Sequence, residues 1–228
     1  MLRFRDLQFI RWSNYLTSLK LVISESQIQE RVKLLAQTIQ ADYQNRPLLV
    51  VGVLHGSFVF LSDLIRHMHL PIQVDFIRLS SYDESTKSSG TVRLHHGVRT
   101  SVVGKNVLVV EDIVDTGLTA KFIRGYFEEE GAATVSICSL LDKPARRLTS
   151  VTVEYVGFEV PDQFLVGYGL DYNQQYRELG AIYSLEEITD GSYVAHQDYS
   201  RMMNITFRKM TRVDLTKIKD VGKITLWP

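Results

Sequence analysis

The sequence predicts an α/β fold in which a mostly parallel, twisted sheet is flanked by helices. Two observations carry this prediction. Short runs of consecutive apolar and β-branched residues recur along the chain, as expected of strands that are covered on both faces. Segments with an apolar residue every three or four positions alternate with these runs. That alternation indicates helices that connect parallel strands.

The predicted elements begin at residue 24. The first is a helix over 24–44, in which Ser24 and Gln27 have the spacing of a capping box. Two further predicted helices span 57–68 and 118–130. The predicted strands span 47–54, 72–82, 106–112 and 133–141.

The polar segment SSYDESTKSSG at 80–90 has no apolar periodicity, so it is predicted to form a long loop. Long loops in compact domains often cover active sites. We expect this one to close over a site and exclude water, with Ser81 and Tyr82 as its candidate working residues.

Length and composition restrict the class of protein. The 228 residues suffice for one sizeable core. The 26 basic residues balance the 26 acidic ones, which argues against a nucleic-acid partner but leaves a local basic pocket open. Cys138 is the single cysteine and cannot form an internal disulfide, so a cytoplasmic location is expected. No apolar stretch reaches the length of a membrane span, and no membrane partner is expected.

The stretch VVEDIVDTGLTA at 109–120 follows a predicted buried strand and opens a helix. Ligands of open α/β sheets sit beyond the carboxyl ends of the strands, and a helix start offers unpaired N–H groups to a phosphate. Thr116, Gly117 and Thr119 fit that role, because glycine allows close approach and hydroxyls donate hydrogen bonds.

The carboxylates of the same stretch fit other roles. Glu111 and Asp112 would repel a phosphate, so they suit sugar hydroxyls, bound directly or through a metal. Asp115 is left at the lip of the loop, where it can exchange a proton. The alternative is that these residues only form a turn and cap a helix.

Other ligand motifs are missing. The sequence contains no G-x-x-x-x-G-K-[ST] loop and no G-x-G-x-x-G that opens a helix. Two histidine pairs lack the spacing and acidic partner of a zinc site and are interpreted as surface or loop residues. They are His67 with His69 and His95 with His96.

Four segments in order resemble the type I phosphoribosyltransferases, specifically the hypoxanthine-guanine phosphoribosyltransferases. They are VDFIRLSSY at 74–82, VLVVEDIVDTGLTA at 107–120, LLDKPARR at 140–147 and VGFEVPDQFLVGYGLDYNQQYREL at 156–179. The resemblance extends from about residue 21 to about residue 187.

This resemblance implies an architecture and an activity. The type I fold adds a small hood built from N- and C-terminal segments, so we expect a core with hood over 21–188. The segments 1–20 and 189–228 are then extensions of unknown role. The implied reaction transfers the phosphoribosyl group from phosphoribosyl pyrophosphate to hypoxanthine or guanine, with Mg²⁺, giving IMP or GMP and pyrophosphate. A homodimer or homotetramer is expected.

The resemblance also assigns roles within the loop at 109–120. Asp115 matches the general base or acid that works on a purine ring nitrogen. Glu111 and Asp112 match residues that hold the ribose diol, and with Asp171 they are the candidate metal ligands. The implied sugar-phosphate contacts further include Ile113, Val114, Thr116, Gly117, Leu118 and Thr119.

The purine and pyrophosphate sites are implied by the other segments. Lys143 matches the donor to the exocyclic oxygen of the purine, which selects a 6-oxo over a 6-amino base. Phe164 matches the aromatic that stacks on the base, and Leu165 contributes backbone groups. Asp171 matches a residue near magnesium and the purine edge, and Arg177 matches a pyrophosphate contact.

The remaining pyrophosphate contacts are expected at His55, Gly56 and Ser57. Many relatives have a lysine or another basic residue where His55 stands, and the peptide there is often cis. We hypothesise that backbone N–H groups dominate pyrophosphate binding and that the imidazole charge is dispensable.

Two other functions stay open at this point. One is a regulator that binds phosphoribosyl pyrophosphate without turnover. The other is a transferase for a different base, such as xanthine or adenine.

Overall fold

The computed structural model describes residues 17–44, 46–81 and 92–187. Its helices are α1 (Glu25–Tyr43), α2 (Phe58–Arg66) and α3 (Leu118–Glu129), with a short 3-10 helix at Pro144–Arg146. Its strands are β1 (Thr17–Ile23), β2 (Leu48–Leu54), β3 (Ile72–Ser81), β4 (Val92–His96), β5 (Asn106–Val114), β6 (Thr134–Asp142), β7 (Tyr155–Glu159), β8 (Leu165–Val166) and β9 (Ile182–Glu187).

The main sheet has six strands in the order β4-β3-β2-β5-β6-β7. Every neighbouring pair is parallel except β3 with β4. This confirms the predicted mostly parallel sheet. Buried residues of α1 and α2 pack on one face of the central strands, and those of α3 pack on the other. The carboxyl ends of β2, β5 and β6 therefore lie at one edge of a sheet that is covered on both sides.

Helix α1 begins where the sequence predicts. The Ser24 hydroxyl accepts from the Gln27 N–H, and the Gln27 side chain accepts from the Ser24 N–H at 2.9 Å, which completes the capping box. The helix ends at Gln44, whose backbone is left-handed.

A second sheet of three antiparallel strands, in the order β1-β9-β8, forms the hood. Its register pairs Thr17 with Glu187, so the hood joins the two ends of the described core. Leu19, Val166 and Tyr176 are buried in a small cluster of their own. The hood implied by the family resemblance is therefore present.

Five strands of the structure were not predicted, namely β1, β4, β7, β8 and β9. Strand β8 has two residues and β4 lies at an exposed edge, so neither shows a clear period in the sequence. His95 and His96 are exposed, as expected, but they lie on β4 and not in a loop. The expected lid, including Tyr82, and both terminal extensions lie largely outside the described residues.

None of the helices over 17–44, 46–81 and 92–187 is long and apolar enough to cross a membrane.

The capping box at the start of α1 should contribute measurably to stability. Replacing Ser24→Ala removes the side-chain acceptor for the Gln27 N–H, so the free energy of unfolding should fall by about 1 kcal/mol in urea titrations. Lys33→Ala, at an exposed position of the same helix, is the control and should change it by less than about 0.5 kcal/mol. Equal effects of the two substitutions would contradict the assigned cap.

Candidate active site

The turn between β5 and α3 is shaped to hold an anion. Gly117 has a φ of +83° and occupies the N-cap position of α3. It offers no side chain to the N–H groups of the first turn, which leaves them to a ligand. A Cβ at Gly117 would lie 2.9 Å from Cδ of Arg147 and 3.1 Å from the carbonyl oxygen of Thr149. Glycine is therefore required by both conformation and space.

The other candidate residues of this turn divide by role. Thr116 Oγ1 accepts weakly from the Leu118 N–H at 3.4 Å, and Thr119 lies in the first turn of α3. Val114 is buried, and Ile113 packs against the core under α1 and α2. We attribute a structural rather than a contact role to the side chains of Ile113 and Val114.

Arg147 stabilises the backbone of this turn, a role that was not predicted from the sequence. Its guanidinium donates to the carbonyl oxygens of Asp115 at 2.7 Å and Val114 at 3.1 Å. The same group pairs with the carboxylate of Asp142. These bonds fix the backbone from which the Asp115 side chain projects.

Asp115 stands at the lip of the turn. Arg146 Nε lies 3.1 Å from its Oδ1, in an ion pair whose groups are both partly exposed. The contact is not aligned as a hydrogen bond, so Oδ1 has no hydrogen-bond partner among the described residues. Arg146 also lies 3.5 Å from Asp162. A carboxylate at the mouth of a site, where a ligand can reach it, is a candidate to exchange a proton with that ligand.

Glu111 and Asp112 are adjacent near the carboxyl end of β5. Val110 and Ile113 both pack in the core under α1 and α2 although three positions separate them, so the regular alternation of the strand is interrupted at these two carboxylates. Burial raises the pKa of Glu111 well above its ordinary value and raises that of Asp112 to about 6. Each carboxylate therefore gains from a ligand that supplies donors or positive charge.

The loop after β2 lies directly against Asp112. A Cβ at Gly56 would fall 1.7 Å from Asp112 Oδ2, so only glycine fits there. The Leu54–His55 peptide bond is cis, and the His55 side chain is exposed. Ser57 is buried and its hydroxyl donates to the Val53 carbonyl at 2.7 Å, which commits its proton within the protein.

The hood contributes Asp171 and Arg177 on the other side. Arg177 pairs with Asp171 Oδ1 at 2.7 Å and donates to the Gly169 carbonyl at 2.7 Å. Asp171 Oδ2 accepts from the Gln174 N–H at 2.8 Å. The charge of Arg177 lowers the pKa of Asp112, whereas that of Asp171 raises it. The three charges therefore share one electrostatic environment.

The candidate purine site lies where β6 meets the hood. Lys143 is 6% exposed, and its ammonium donates to the Gln163 carbonyl at 2.6 Å. Phe164 is 53% exposed and meets Tyr172 edge to face at 5.5 Å. Leu165 is buried and pairs with Ser184 of β9. A buried ammonium beside an exposed aromatic face is suited to a flat polar ring.

A metal ion would have to share its ligands with a substrate. Over 17–44, 46–81 and 92–187, no group of three His, Cys, Asp or Glu side chains could hold a metal ion. Asp112 lies in the field of Asp171, and its own charge raises the pKa of Glu111. Two mutually repelling carboxylates still fit Mg²⁺, which usually binds through one or two carboxylates plus phosphates.

The candidate lid is only partly described. Ser81 is the last residue of β3 and pairs with Val92. Tyr82 lies outside the described residues.

A family model described as a phosphoribosyl transferase domain matches residues 24–173. The chain is 44% identical to hypoxanthine-guanine phosphoribosyltransferase of Bacillus subtilis, over 70% of this chain and 89% of that protein. It is 43% identical to hypoxanthine phosphoribosyltransferase of Haemophilus influenzae, over 71% and 92%.

Solved structures agree with these relatives. A hypoxanthine-guanine phosphoribosyltransferase of Bacillus anthracis, with HEPES in its active site, is 47% identical with a TM-score of 0.70 and covers 72% of this chain and 97% of its own. A hypoxanthine phosphoribosyltransferase of Staphylococcus aureus is 40% identical with a TM-score of 0.71, over 73% and 91%.

The buried carboxylate of Asp112 should reduce the stability of the free protein. Its folded pKa of about 6 lies above the ordinary 3.8, so the folded state holds the proton more tightly than the unfolded state does. Stability should therefore fall as the pH rises from about 4 to about 6 and then level off. Asp112→Asn should raise the free energy of unfolding at pH 7 by on the order of 1–3 kcal/mol.

Asp75→Asn is the control of opposite sign. Burial raises the pKa of Asp75, but hydrogen bonds from the N–H groups of Thr100, Phe76 and Arg99 outweigh burial and lower it overall. This substitution should destabilise the protein at pH 7. Urea titrations at pH 4.5 and pH 7 measure both effects, and destabilisation by Asp112→Asn at pH 7 would contradict the assigned environment.

Proposed function

The chain belongs to the phosphoribosyltransferase family, in its hypoxanthine-guanine branch, and we propose that it serves purine salvage by transferring the phosphoribosyl group of phosphoribosyl pyrophosphate to hypoxanthine or guanine. The observation that carries the proposal is the meeting of three parts at one sheet edge. They are the anion-holding turn with Asp115, the buried ammonium of Lys143, and the hood residues Asp171 and Arg177.

The turn and the end of β5 hold the phosphoribosyl group. The free N–H groups at the start of α3 and the hydroxyls of Thr116 and Thr119 bind the 5-phosphate. The carboxylates of Glu111 and Asp112 accept hydrogen bonds from the ribose hydroxyls. Because both carboxylates are buried, these bonds also offset part of their desolvation.

Lys143 selects the base. Its ammonium has donors only, so it binds the exocyclic oxygen of a 6-oxopurine and repels the amino group of adenine. Phe164 presents an exposed ring face on which the purine stacks, and the backbone at Leu165 contacts the purine edge. Because Lys143 is buried, its ammonium is held in one orientation, which strengthens the selection of a 6-oxopurine.

The reaction forms a bond from C1 of the ribose to the purine nitrogen and breaks the bond from C1 to pyrophosphate. Asp115 accepts the proton that the purine loses from a ring nitrogen away from the reacting atom, which makes the purine a better nucleophile. Positive charge develops on the ribose and negative charge on the departing pyrophosphate. Arg177 and the N–H groups near Gly56 stabilise that departing charge.

Asp112 and Asp171 are the residues that would hold Mg²⁺ together with substrate oxygens. When bound, the ion neutralises charge on the pyrophosphate. Its presence would also relieve the repulsion by which Asp171 raises the pKa of Asp112.

Location, oligomeric state and extent of the core complete the proposal. We place the protein in the cytoplasm, because its single cysteine, Cys138, cannot form an internal disulfide. We propose a homodimer or homotetramer. We further propose a core with hood over about 21–188, as the resemblance implies, to which the structure adds the first four residues of β1, from Thr17.

An absorbance assay with phosphoribosyl pyrophosphate and Mg²⁺ tests the activity on four bases. We expect turnover with hypoxanthine or guanine, and little with adenine. Turnover with xanthine shows whether the site accepts bases beyond hypoxanthine and guanine. Binding of phosphoribosyl pyrophosphate without turnover would instead favour a regulator, and preferred turnover of adenine would sink the role of Lys143.

Asp115→Asn should lower kcat by on the order of 10²–10⁴, because the amide cannot accept the purine proton. Asp162→Asn is the matched control, since Asp162 is the other partner of Arg146. It should leave kcat within about twofold of the wild type. Unchanged turnover in Asp115→Asn across the pH range would remove the proposed base.

Two neighbouring substitutions separate backbone from side-chain binding of pyrophosphate. His55→Ala should change the Kd for pyrophosphate by less than about threefold, because the imidazole is exposed and the backbone N–H groups remain. Gly56→Ala should abolish binding, because the new Cβ would fall 1.7 Å from Asp112 Oδ2. Calorimetry with pyrophosphate and Mg²⁺ measures both. A near-complete loss in His55→Ala would overturn the backbone hypothesis.

A further inference from the structure

Tyr168 connects the hood to helix α2 through a partly buried hydrogen bond. Its side chain is 2% exposed, and its hydroxyl donates to Oδ2 of Asp63 on α2 at 2.5 Å. Asp63 also accepts from Gln29 of α1 at 3.1 Å and pairs with Arg66. The carboxylate is thus held by three partners, and Tyr168 is the one that comes from the hood.

The backbone that follows Tyr168 lies against the candidate pyrophosphate site. Gly167 and Gly169 have φ values of +99° and +101°, and Tyr168 itself has +50°. A Cβ at Gly169 would lie 2.1 Å from the Gly56 carbonyl oxygen, so this turn touches the loop after β2. The turn is therefore pressed onto that loop with no side chain between them.

The same turn carries the charged groups of the hood. Arg177 donates to the Gly169 carbonyl at 2.7 Å, and the Gly169 N–H donates to the Arg177 carbonyl at 3.0 Å. Asp171 follows two residues later and pairs with Arg177. Because its two neighbours are glycines, Tyr168 has the one side chain within the Gly167–Gly169 turn itself, and Arg177 holds the turn from the segment that follows.

Helix α2 begins immediately after the loop at 55–57, so Asp63 and that loop belong to one rigid element. A bond from Tyr168 to Asp63 therefore sets the distance between Gly169 and Gly56. We propose that Tyr168 and Asp63 are positioning residues for pyrophosphate binding, acting through the contact of Gly169 with Gly56 and through Arg177. This inference rests on the proposed function and deepens it, since it concerns one half of the same site.

The position of Tyr168 predicts that its loss weakens the binding of some ligands and not of others. The 5-phosphate and purine positions depend on the turn after β5, on Lys143 and on Phe164, whereas Tyr168 donates its hydrogen bonds to Asp63 and to the Leu179 carbonyl. Loosening the bond from Tyr168 to Asp63 should therefore weaken pyrophosphate and phosphoribosyl pyrophosphate and leave IMP unaffected. A merely structural role would weaken all three ligands or none.

The test is Tyr168→Phe, which keeps the ring and removes only the hydroxyl. We expect the Kd for pyrophosphate with Mg²⁺, and the KM for phosphoribosyl pyrophosphate, to rise about tenfold. The Kd for IMP should stay within about twofold. Asp63→Asn retains an acceptor but loses the charge, so it should give a smaller change in the same direction.

The matched control is Tyr155→Phe. Tyr155 is also buried, and its hydroxyl donates to the Asp42 carboxylate at 2.9 Å, between β7 and α1 and away from the site. It should lower thermal stability comparably and leave all three ligands unchanged. If Tyr168→Phe behaves like this control, or if it weakens IMP as much as pyrophosphate, the proposal is wrong.

The double variant Tyr168→Phe with Asp63→Asn adds a second criterion. The two effects on pyrophosphate should not add, because both act through the same bond. Full additivity would overturn the proposal. Wild-type protein that binds pyrophosphate but does not turn over would refute the proposed function alone, because the selective loss in Tyr168→Phe is still measured by binding.

Discussion

The site depends on close approach between backbones. Gly56 lies against the carboxylate of Asp112, and Gly169 lies against the carbonyl of Gly56, at distances that leave no room for a Cβ at either glycine. Three separate pieces of chain, namely the end of β5, the loop after β2 and the turn of the hood, are thereby stacked at one point. The packing of α1 and α2 against the sheet and the pairing of the hood strands hold them there.

This stacking explains the unusual charges. Bringing the pieces together removes water from Asp112, which raises its pKa, and brings Asp171 and Arg177 into its field. A ligand with hydroxyl groups and a cation would supply hydrogen bonds and positive charge to the same groups and so offset that desolvation. Arg147 and Lys143 both lie just after β6, and each donates to a backbone carbonyl of a neighbouring loop.

Much of this arrangement could be predicted from the sequence, because it follows from local periodicity. The start of α1 was given by Ser24 and Gln27, and the central strands by their apolar runs. Short or exposed strands such as β8 and β4 were missed because they are too brief to show a period.

Contacts between distant positions could not be predicted in the same way. Tyr168 and Asp63 are 105 residues apart, and Arg147 is 32 residues from the carbonyl of Asp115. A tyrosine in a glycine-rich turn and an arginine after a proline carry no local pattern that names their partners. Only the family resemblance pointed to Lys143 as a functional group, since a lysine before a proline otherwise indicates a surface turn, and its burial was not predicted.

The pairing of Thr17 with Glu187 has a consequence for topology. These two residues lie at opposite ends of the described core and are direct partners in one antiparallel strand pair, so the two ends of the core are close in space. A circular permutant that joined these ends and opened the chain elsewhere would retain the strand order of both sheets. The order of the elements along the chain can thus change while the geometry of the pocket that they enclose stays the same.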